Sequence, residues 1–475
     1  MMTIFYQGKP HGYIASQNIN HKKNQTKVIS TLDIRADELF QFELEQSKDL
    51  LLIEASYNGK NYAFLLVDIG QKELLLHQYN SLGQKLTTSQ FPIGSNMVNL
   101  CTEHVANNNH YTGRNRFLHH LESDEGFLLM YPSVEPSSST YYIHKISSDS
   151  AATQSYPYKK ESPIYDAIYL GSSRSALYFS FQINGKYQKQ FTCDILSLFK
   201  KDMTANYELN QPSSQDIQFF PYKLFSSANS DTITLIGHYF ENKLDMIEYF
   251  YSGYALWKLE PLGDITSERY LSFQKDISSL SFEKDNQSKD FGYLLTQEII
   301  KSEDNAIRII VEGYKKIIDG ASMGYSMMNM RYMNTYLRVK TTDIVILELD
   351  DEFRFRRSTT IDKKTNTIQL SVNPDLSVVD AGKFFNQFGF FDYIYTEQRE
   401  GNAYTIYYRN FGNFMNRGTE YEVGKMEFEH NRYDIHTILK QPNTSSTFFF
   451  PNQNNQLMIA EWIRKKKKIY FEFKK

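Results

Sequence analysis

Long apolar stretches are absent from this 475-residue sequence, and cysteine and tryptophan occur only twice each. Because a membrane-spanning helix needs about 18 or more consecutive apolar residues, we expect no membrane insertion. Cys101 and Cys193 cannot build a disulfide framework, and their spacing fits no zinc motif. We expect two buried thiols, with a single disulfide between them as the alternative.

A secretory leader is also missing from the start of the sequence. No basic segment followed by an apolar core is found there. The sequence therefore fits either a cytoplasmic protein or the mature form of an exported one, and composition does not choose between them.

Neither sign of charge predominates. The sequence has 52 Lys and Arg residues against 55 Asp and Glu residues, and the two signs are interspersed. Proteins that bind nucleic acid or an anionic membrane usually present an excess of positive charge. We therefore expect neither as a partner.

The common catalytic and nucleotide-binding motifs are missing as well. The sequence contains no GxSxG, GxxxxGK[ST], HExxH, EF-hand or GxGxxG pattern. This argues against the usual nucleotide-binding, zinc-protease and α/β-hydrolase classes. We predict no catalytic residues, no cofactor and no metal, and we favour a protein that is not an enzyme. An active site assembled from distant loops would leave no such motif.

Aromatic residues are abundant, with 35 Tyr and 34 Phe, and they favour half-buried sheet surfaces. The segment from Leu50 to Phe91 shows the basic repeat of the chain. Tight turns containing Asn-Gly or Leu-Gly separate four hydrophobic runs, which is typical of an antiparallel meander. The four runs are Leu50–Ser56, Asn61–Asp68, Glu73–Tyr79 and Lys85–Phe91.

Similar sets of strands recur along the chain and predict an all-β fold. We expect one β-propeller domain, residues 1–475, with about seven four-stranded antiparallel blades. Six is the alternative if residues 96–160 form no blade. Only two strands are predicted near the C-terminus, so we expect residues 1–35 and 445–475 to share the last blade. Such closure removes the exposed edge that each chain end would otherwise present.

Two connecting segments stand out by composition. The long loop insertion 317–340 contains five methionines between Met323 and Met333, together with tyrosines. Such a segment can be an adaptable binding surface, but we favour one that packs on the propeller. The acidic segment Asp350–Glu352 is interpreted as an ordinary hairpin turn without a function.

A group of histidines lies between residues 104 and 120. His104, His110, His119 and His120, with Glu122 and Asp124, could bind a transition metal. The spacing matches no known ligand pattern, and adjacent residues of a strand point to opposite faces. We therefore favour a polar loop over a metal site.

A candidate ligand site comes from aligning the repeats on their first turn. Glu54, Glu298 and Glu461 fall near matching positions, and His238 and Gln182 come close in two other repeats. If this strand is the innermost of each blade, these side chains line one mouth of a central channel. The alternative is that they are solvated residues without chemistry, and a register error of one residue would turn each of them to the opposite face.

Several motifs resemble those of a family of uncharacterised Bacteroidota proteins, classed as a domain of unknown function. The resemblance implies a propeller-like fold over most of the chain. Because members usually carry a secretory leader, it also implies a periplasmic or extracellular location, while a cytoplasmic one stays open. The motifs are Gly8-Lys9 with Gly12-Tyr13, Leu52–Gly59, Tyr79–Gly83, Val311–Tyr314 and Asp343–Asp350.

The function expected from these observations is noncatalytic binding. We expect a monomer that binds a protein or a glycan at the channel mouth, through Glu54, Glu298, Glu461, His238 and Gln182, or at the methionine-rich loop. The alternative is a hydrolase that cleaves a glycan or similar polymer with two of the carboxylates.

Overall fold

The computed structural model is built almost entirely from antiparallel strands joined in sequence order. It describes residues 1–21, 24–44, 49–107, 116–121, 125–133, 139–148, 150–184, 191–211, 216–226, 230–241, 251–277, 279–283, 286–317, 337–370, 378–387, 390–411, 420–429, 432–442, 446–453, 456–463 and 468–474. The methionine-rich segment 323–333 and His110 lie outside these residues.

Sheets 1 to 4 are four-stranded meanders. Their strands are β1 (Met2–Tyr6), β2 (Lys9–His21), β3 (Asn24–Leu32) and β4 (Glu38–Leu44) in sheet 1; β5 (Leu50–Tyr57), β6 (Asn61–Asp68), β7 (Glu73–Asn80) and β8 (Lys85–Pro92) in sheet 2; β9 (Leu118–His120), β10 (Phe127–Pro132), β11 (Ser139–Ile146) and β12 (Thr153–Lys160) in sheet 3; and β13 (Ile164–Ser172), β14 (Ala176–Asn184), β15 (Phe191–Phe199) and β16 (Ala205–Asn210) in sheet 4.

Sheets 5 to 8 continue the pattern, with one added strand in sheet 6 and three strands in sheet 8. Their strands are β17 (Gln218–Ser226), β18 (Ile233–Phe240), β19 (Gly253–Leu259) and β20 (Ile265–Ser272) in sheet 5; β21 (Tyr293–Lys301), β22 (Ile307–Ile317), β23 (Leu337–Leu349), β24 (Phe355–Ile361) and β25 (Asn366–Leu370) in sheet 6; β26 (Tyr393–Gln398), β27 (Tyr404–Phe411), β28 (Glu420–Glu429) and β29 (Arg432–Pro442) in sheet 7; and β30 (Ser446–Pro451), β31 (Leu457–Ile463) and β32 (Lys468–Lys474) in sheet 8.

Three helices connect the sheets within the described residues. They are α1 (Ser95–Asn107), α2 (Phe273–Asp276) and α3 (Val378–Gln387). None of these helices has the length and the apolar content that crossing a bilayer requires.

The chain divides into two compact units. The first consists of Met1–Asn184, Asp194–Leu209 and Thr447–Lys475, and it holds sheets 1 to 3 and most of sheets 4 and 8. The second consists of Gly185–Cys193 and Asn210–Ser446, and it holds sheets 5 to 7. The expectation of one domain stays a prediction.

The number of sheets corrects the sequence prediction. The described residues form eight antiparallel sheets, mostly four-stranded, which is the composition of an eight-bladed β-propeller. The prediction of about seven blades, with six as the alternative, is therefore wrong. It missed the largely exposed fourth strands β4 and β12; β12 has a weak hydrophobic signal, whereas β4 shows an alternation of Phe40, Phe42 and Leu44 with polar residues that was overlooked.

The shared last blade is also wrong. Residues 1–35 form sheet 1 together with β4, and the strands described for sheet 8 are all C-terminal. The two sheets meet through side chains instead: the Tyr13 hydroxyl donates to the Pro451 carbonyl at 3.0 Å, and the Gln453 amide donates to the Pro10 carbonyl at 2.6 Å. Because β4 completes sheet 1, the N-terminal strands need no partner from the other end of the chain.

A recurring five-residue turn joins the third and fourth strands of four sheets. The amide of its fourth residue donates to the carbonyl of its first, and the amide of the first donates to the carbonyl of the fifth. The fourth residue has a positive φ, as in a type I turn followed by a bulge. In three of the turns an Asp or Asn at the first position also accepts two backbone amides. The turns are 33–37, 80–84, 260–264 and 350–354, and the last confirms the hairpin interpretation of Asp350–Glu352.

Apolar side chains of neighbouring sheets pack together in each unit. In the first unit the Phe40 ring of sheet 1 meets the Tyr62 ring of sheet 2 edge-on, with centroids 5.4 Å apart. In the second unit α3 packs Phe385 into the core of sheets 5 and 6. Cys101 and Cys193 are buried free thiols, as predicted. Burial, reinforced by the Glu54 carboxylate, raises the pKa of the Cys101 thiol to about 12.

Replacing Gly83 by alanine tests the recurring turn. Gly83 has a φ of +75°, and an added Cβ would lie 2.6 Å from Cβ of Phe40. Left-handed backbone strain and the steric contact together should lower the free energy of unfolding by about 2 to 4 kcal/mol. Gly8 is the matched control because its φ is +73° and an added Cβ meets nothing within 4 Å. Gly8→Ala should cost about 1 kcal/mol in urea unfolding; equal costs for the two variants would contradict the steric argument.

Candidate functional site

Two of the five predicted ligand residues occupy equivalent positions. Glu54 on β5 and Glu298 on β21 each follow a one-residue bulge on the first strand of their sheet. A bulge bends the strand and redirects the following side chain. Glu54 belongs to the first compact unit and Glu298 to the second.

The other three predicted residues lie on second strands. Gln182 on β14 is paired with Asp166, His238 on β18 with Phe220, and Glu461 on β31 with Tyr470 of the third strand. Aligning the repeats on their turns mixed first and second strands, because both strands of a hairpin show the same alternation of side chains.

Glu54 is buried, with 2% of its surface exposed, and its carboxylate accepts four hydrogen bonds. The backbone amide of Arg116 donates to Oε1 at 2.7 Å, and the amides of Phe117 and Leu118 donate to Oε2 at 3.0 and 2.8 Å. His104 on α1 places Nε2 2.9 Å from Oε1. A carboxylate of sheet 2 thus holds the start of β9, the first strand of sheet 3.

The electrostatics of Glu54 favour the ionised form. Burial by itself raises the pKa of this carboxyl. The opposite effect is larger, because His104 contributes a hydrogen bond and a charge and the amides of Arg116 and Leu118 donate hydrogen bonds. The pKa of Glu54 therefore lies below its ordinary value of 4.5. Glu54 is therefore a carboxylate at neutral pH, enclosed by donors.

The described histidines of the predicted group separate in space, and its other members, His110, Glu122 and Asp124, lie outside the described residues. His104 pairs with Glu54, whereas His119 and His120 on β9 point to different neighbours. The His119 ring lies 5.1 Å from the Tyr169 ring, and the His120 ring lies 5.8 Å from the Tyr6 ring. Within the described residues, no three His, Cys, Asp or Glu side chains converge as metal ligands.

Glu298 and His238 lie in the second unit, in different surroundings. Glu298 Oε1 is 3.1 Å from Nζ of Lys223, and both side chains are partly exposed. His238 stacks on Tyr251 with centroids 3.8 Å apart, and its Nε2 lies 2.7 Å from Oγ1 of Thr296. His238 is therefore part of an internal network, whereas the Glu298 pair meets solvent.

An aromatic–histidine cluster in the first unit was not predicted. We give this name to Tyr6, His11, Tyr57, Tyr62 and His120, which lie at one end of β1, β2, β5, β6 and β9. The His11 ring stacks on Tyr57 with centroids 4.0 Å apart and an angle of 6°, and its Nε2 is 3.2 Å from the Tyr62 hydroxyl. The Tyr6 ring meets the Tyr57 ring edge-on at 5.6 Å.

All members of the cluster except Tyr62 are half-buried. Burial lowers the pKa of His11 and of His120, so both imidazoles are neutral near neutral pH. The cluster thus combines aromatic ring faces with uncharged hydrogen-bonding groups.

A sequence signal for this cluster exists. Tyr6–Lys9 and Tyr57–Lys60 share the pattern Tyr-x-Gly-Lys, and a second ring, His11 or Tyr62, follows each Tyr by five positions. Turn, strand spacing and ring placement repeat together, so two copies of the pattern predict two similar aromatic pairs. The pattern does not show that the two hairpins contact each other.

A buried ionic group was also missed. Glu312 on β22, Lys363 between β24 and β25, and Asp392 before β26 contact one another with fully buried side chains in the second unit. The available signal was a Glu inside the otherwise largely apolar run Ile307–Gly313, where an unpaired charge would be costly.

Replacing Glu54 by glutamine tests its role in holding the next sheet. The glutamine NH₂ would face backbone amides that need an acceptor, so the free energy of unfolding should fall by roughly 1 to 3 kcal/mol. Glu298→Gln is the matched control, since its pair is partly exposed and should contribute less than about 1 kcal/mol. Chemical denaturation measures both, and equal costs would contradict a special role for Glu54.

The pH dependence of stability tests the same carboxylate. Its folded pKa lies below the ordinary 4.5, so its stabilising effect is fully present above that pH and is lost as the pH falls through the folded value. Between pH 4.5 and the folded pKa, wild-type protein should lose stability more steeply than Glu54→Gln. Parallel stability curves would exclude the proposed ionised state.

Comparison with solved structures finds remote likenesses. The WD40 domain of SCAP from fission yeast is 8% identical, with 98% of each chain covered and a TM-score of 0.39. The β-propeller domain of the Trilobed protease from Pyrococcus furiosus is 10% identical, with 90% of this chain and 94% of that chain covered and a TM-score of 0.38. Prolyl oligopeptidase B from Galerina marginata is 8% identical, with 96% of this chain and 55% of that chain covered and a TM-score of 0.41. Similarities this remote carry no conclusion about this chain.

Comparison with curated proteins gives no match. A family match, by contrast, extends over residues 3–475 and so includes the strands that carry Glu54, the aromatic–histidine cluster and the buried ionic group. The chain belongs to the family of unknown function DUF6770.

Proposed function

We propose that this protein is a noncatalytic binding module that recognises a carbohydrate at the aromatic–histidine cluster. The main evidence is the contact between two Tyr-x-Gly-Lys hairpins, which brings four half-buried rings and Tyr62 together. Aromatic faces pack against the apolar faces of sugar rings, and phenol and imidazole groups hydrogen-bond to hydroxyls. The uncharged state of the cluster favours a neutral ligand.

The geometry around Glu54 disfavours the hydrolase alternative. An acid/base carboxylate must reach the bond that it cleaves. Glu54 is 2% exposed and its oxygens accept hydrogen bonds from three backbone amides and contact His104. Glu298 is paired with Lys223. These contacts weaken the hydrolase alternative.

The remaining expectations stay proposals. Glu298, which meets solvent beside Lys223, stays a proposed ligand contact, as do Gln182, His238 and Glu461, which lie on second strands. Export to the periplasm or the cell exterior, implied by the family resemblance, would bring the protein into contact with polysaccharides.

Tyr6→Ala tests the proposed site. The probes are soluble neutral oligosaccharides, including glucans, mannans and xylans, titrated calorimetrically into the full chain. For the best binder, loss of the Tyr6 ring should weaken affinity by about tenfold, since a ring contact contributes up to roughly 1.5 kcal/mol. Analysis of the sugars after long incubation should show no cleavage products.

The control is Tyr165→Ala, which removes a tyrosine of sheet 4 that is 49% exposed and lies outside the cluster. Thermal unfolding of both variants verifies that they are folded. Absence of sugar binding by wild type, or equal binding by Tyr6→Ala, would overturn the proposed site. Cleavage of the sugars would favour the hydrolase alternative.

A further inference from the structure

Lys363, Asp392 and Glu312 form a dry ionic group in the second unit. Nζ of Lys363 lies 2.6 Å from Oδ2 of Asp392 and 3.2 Å from Oε1 of Glu312, and all three side chains are 0% exposed. The Thr341 hydroxyl lies 3.4 Å from both Nζ and Oδ2. An amine and two carboxyl groups are thus held in contact without access to water.

Backbone hydrogen bonds orient the two carboxyl groups differently. The Asp392 amide donates to both oxygens of Glu312, at 2.9 and 3.0 Å, and the Tyr393 amide donates to Oε2 at 2.9 Å. Oδ1 of Asp392, in contrast, is buried without a hydrogen-bond partner among the described residues. Glu312 is therefore anchored, whereas Asp392 retains an unsatisfied oxygen next to an amine.

Burying Lys363, Asp392 and Glu312 as separate ions has a large free-energy cost. Removing charges from water costs several kcal/mol for each ion, and an unsatisfied buried oxygen adds to that cost. Burial, together with the neighbouring Asp392 carboxylate, raises the pKa of Glu312 to about 7, against the effect of Lys363. Glu312 can therefore both take up and release a proton near neutral pH.

We propose that Lys363 and Asp392 condense to an intramolecular isopeptide bond, with Glu312 as the proton-transfer residue. The bond joins the segment after β24 in sheet 6 to the residue before β26 in sheet 7. It is independent of the proposed carbohydrate binding.

The reaction balances without a further reagent. Nζ of Lys363, having passed a proton to Glu312, forms a bond to Cγ of Asp392. The bond from Cγ to one carboxylate oxygen breaks, and this oxygen leaves as water with the two protons that the ammonium group loses. Glu312 returns the proton that it accepted and ends unchanged. One ion pair and one carboxylate oxygen are thereby eliminated from the interior.

Asp392 rather than Glu312 is the reacting carboxyl group for two reasons. Its oxygen is closer to Nζ, at 2.6 Å against 3.2 Å, and the Glu312 oxygens hold the Asp392 and Tyr393 amides in place. Burial opposes the charged amine, but the carboxylates raise the pKa of Lys363 overall. A step that occurs once in the life of each molecule nevertheless needs only a small fraction of free amine.

Lys160 provides an internal comparison. Its Nζ is 2.7 Å from Oδ2 of Asp194 and also contacts Glu208, but its side chain is 23% exposed and that of Glu208 31%. Water stabilises the ammonium and carboxylate ions of this group. We therefore expect no covalent bond between Lys160 and Asp194.

Mass spectrometry of the purified full chain tests the proposal. Wild-type protein should be lighter than its sequence mass by one water molecule, and peptide mapping should find Lys363 joined to Asp392. Lys363→Arg should restore the full mass, and Lys160→Arg, the matched control, should keep the deficit. Asp392→Asn should lose ammonia instead of water, because its amide nitrogen leaves, and give a product with the mass of linked wild type.

Wild-type protein at full mass overturns the proposal, whether or not any variant folds. A deficit that persists in Lys363→Arg, or that maps to other residues, also overturns it. Glu312→Gln tests whether the reaction needs Glu312: the soluble variant should retain the full mass, because glutamine cannot accept a proton from the amine and has only one terminal oxygen to accept the Asp392 and Tyr393 amides. A linked Glu312→Gln protein would overturn the role given to Glu312.

Discussion

Buried side-chain acceptors hold the start of a strand in three of the described sheets. Each sheet of the described residues forms its own ladder, so backbone amides just before or at its first strand need other partners. Glu54 supplies them for β9 in the first unit, and Glu312 supplies them for β26 in the second. Gln211 does the same for Phe219 of β17 with a neutral amide. Because a charged acceptor forms stronger hydrogen bonds than a neutral one, the ionised Glu54 carboxylate should hold the start of β9 more firmly than the Gln211 amide holds Phe219.

Because backbone amides at strand starts need acceptors, the role of a polar residue within a strand cannot be assigned from the sequence alone. A glutamate that interrupts an apolar run can line a ligand site or satisfy backbone amides of another segment. For Glu54 the partners lie more than 60 positions along the chain, and for Glu312 about 80. Local spacing contains no information about such partners, so the predicted ligand role of Glu54 could not be weighed against a structural one.

The predictions that the structure confirms came from the repeated pattern of strands and turns in the sequence. Hydrophobic runs separated by tight turns identified an all-β fold and the four-stranded antiparallel unit, and the hairpin turn at Asp350–Glu352 was predicted from its residues. The count of blades failed because the largely exposed strands β4 and β12 were not recognised; β12 has little apolar content, whereas the alternation of Phe40, Phe42 and Leu44 in β4 was overlooked. The aromatic–histidine cluster was missed because its two hairpins are similar in sequence but meet only in the folded chain.

The sequence by itself determined the local elements: strands from alternating side chains, turns from Asn, Asp and Gly, and buried thiols from the scarcity of cysteine. Only the tertiary structure decided which polar groups meet, including Glu54 with the start of β9 and Lys363 with Asp392. The physical reason is the separation along the chain over which each kind of interaction acts. Turn and strand preferences act over a few residues, whereas the energy of a buried charge depends on partners that the fold brings from distant parts of the chain.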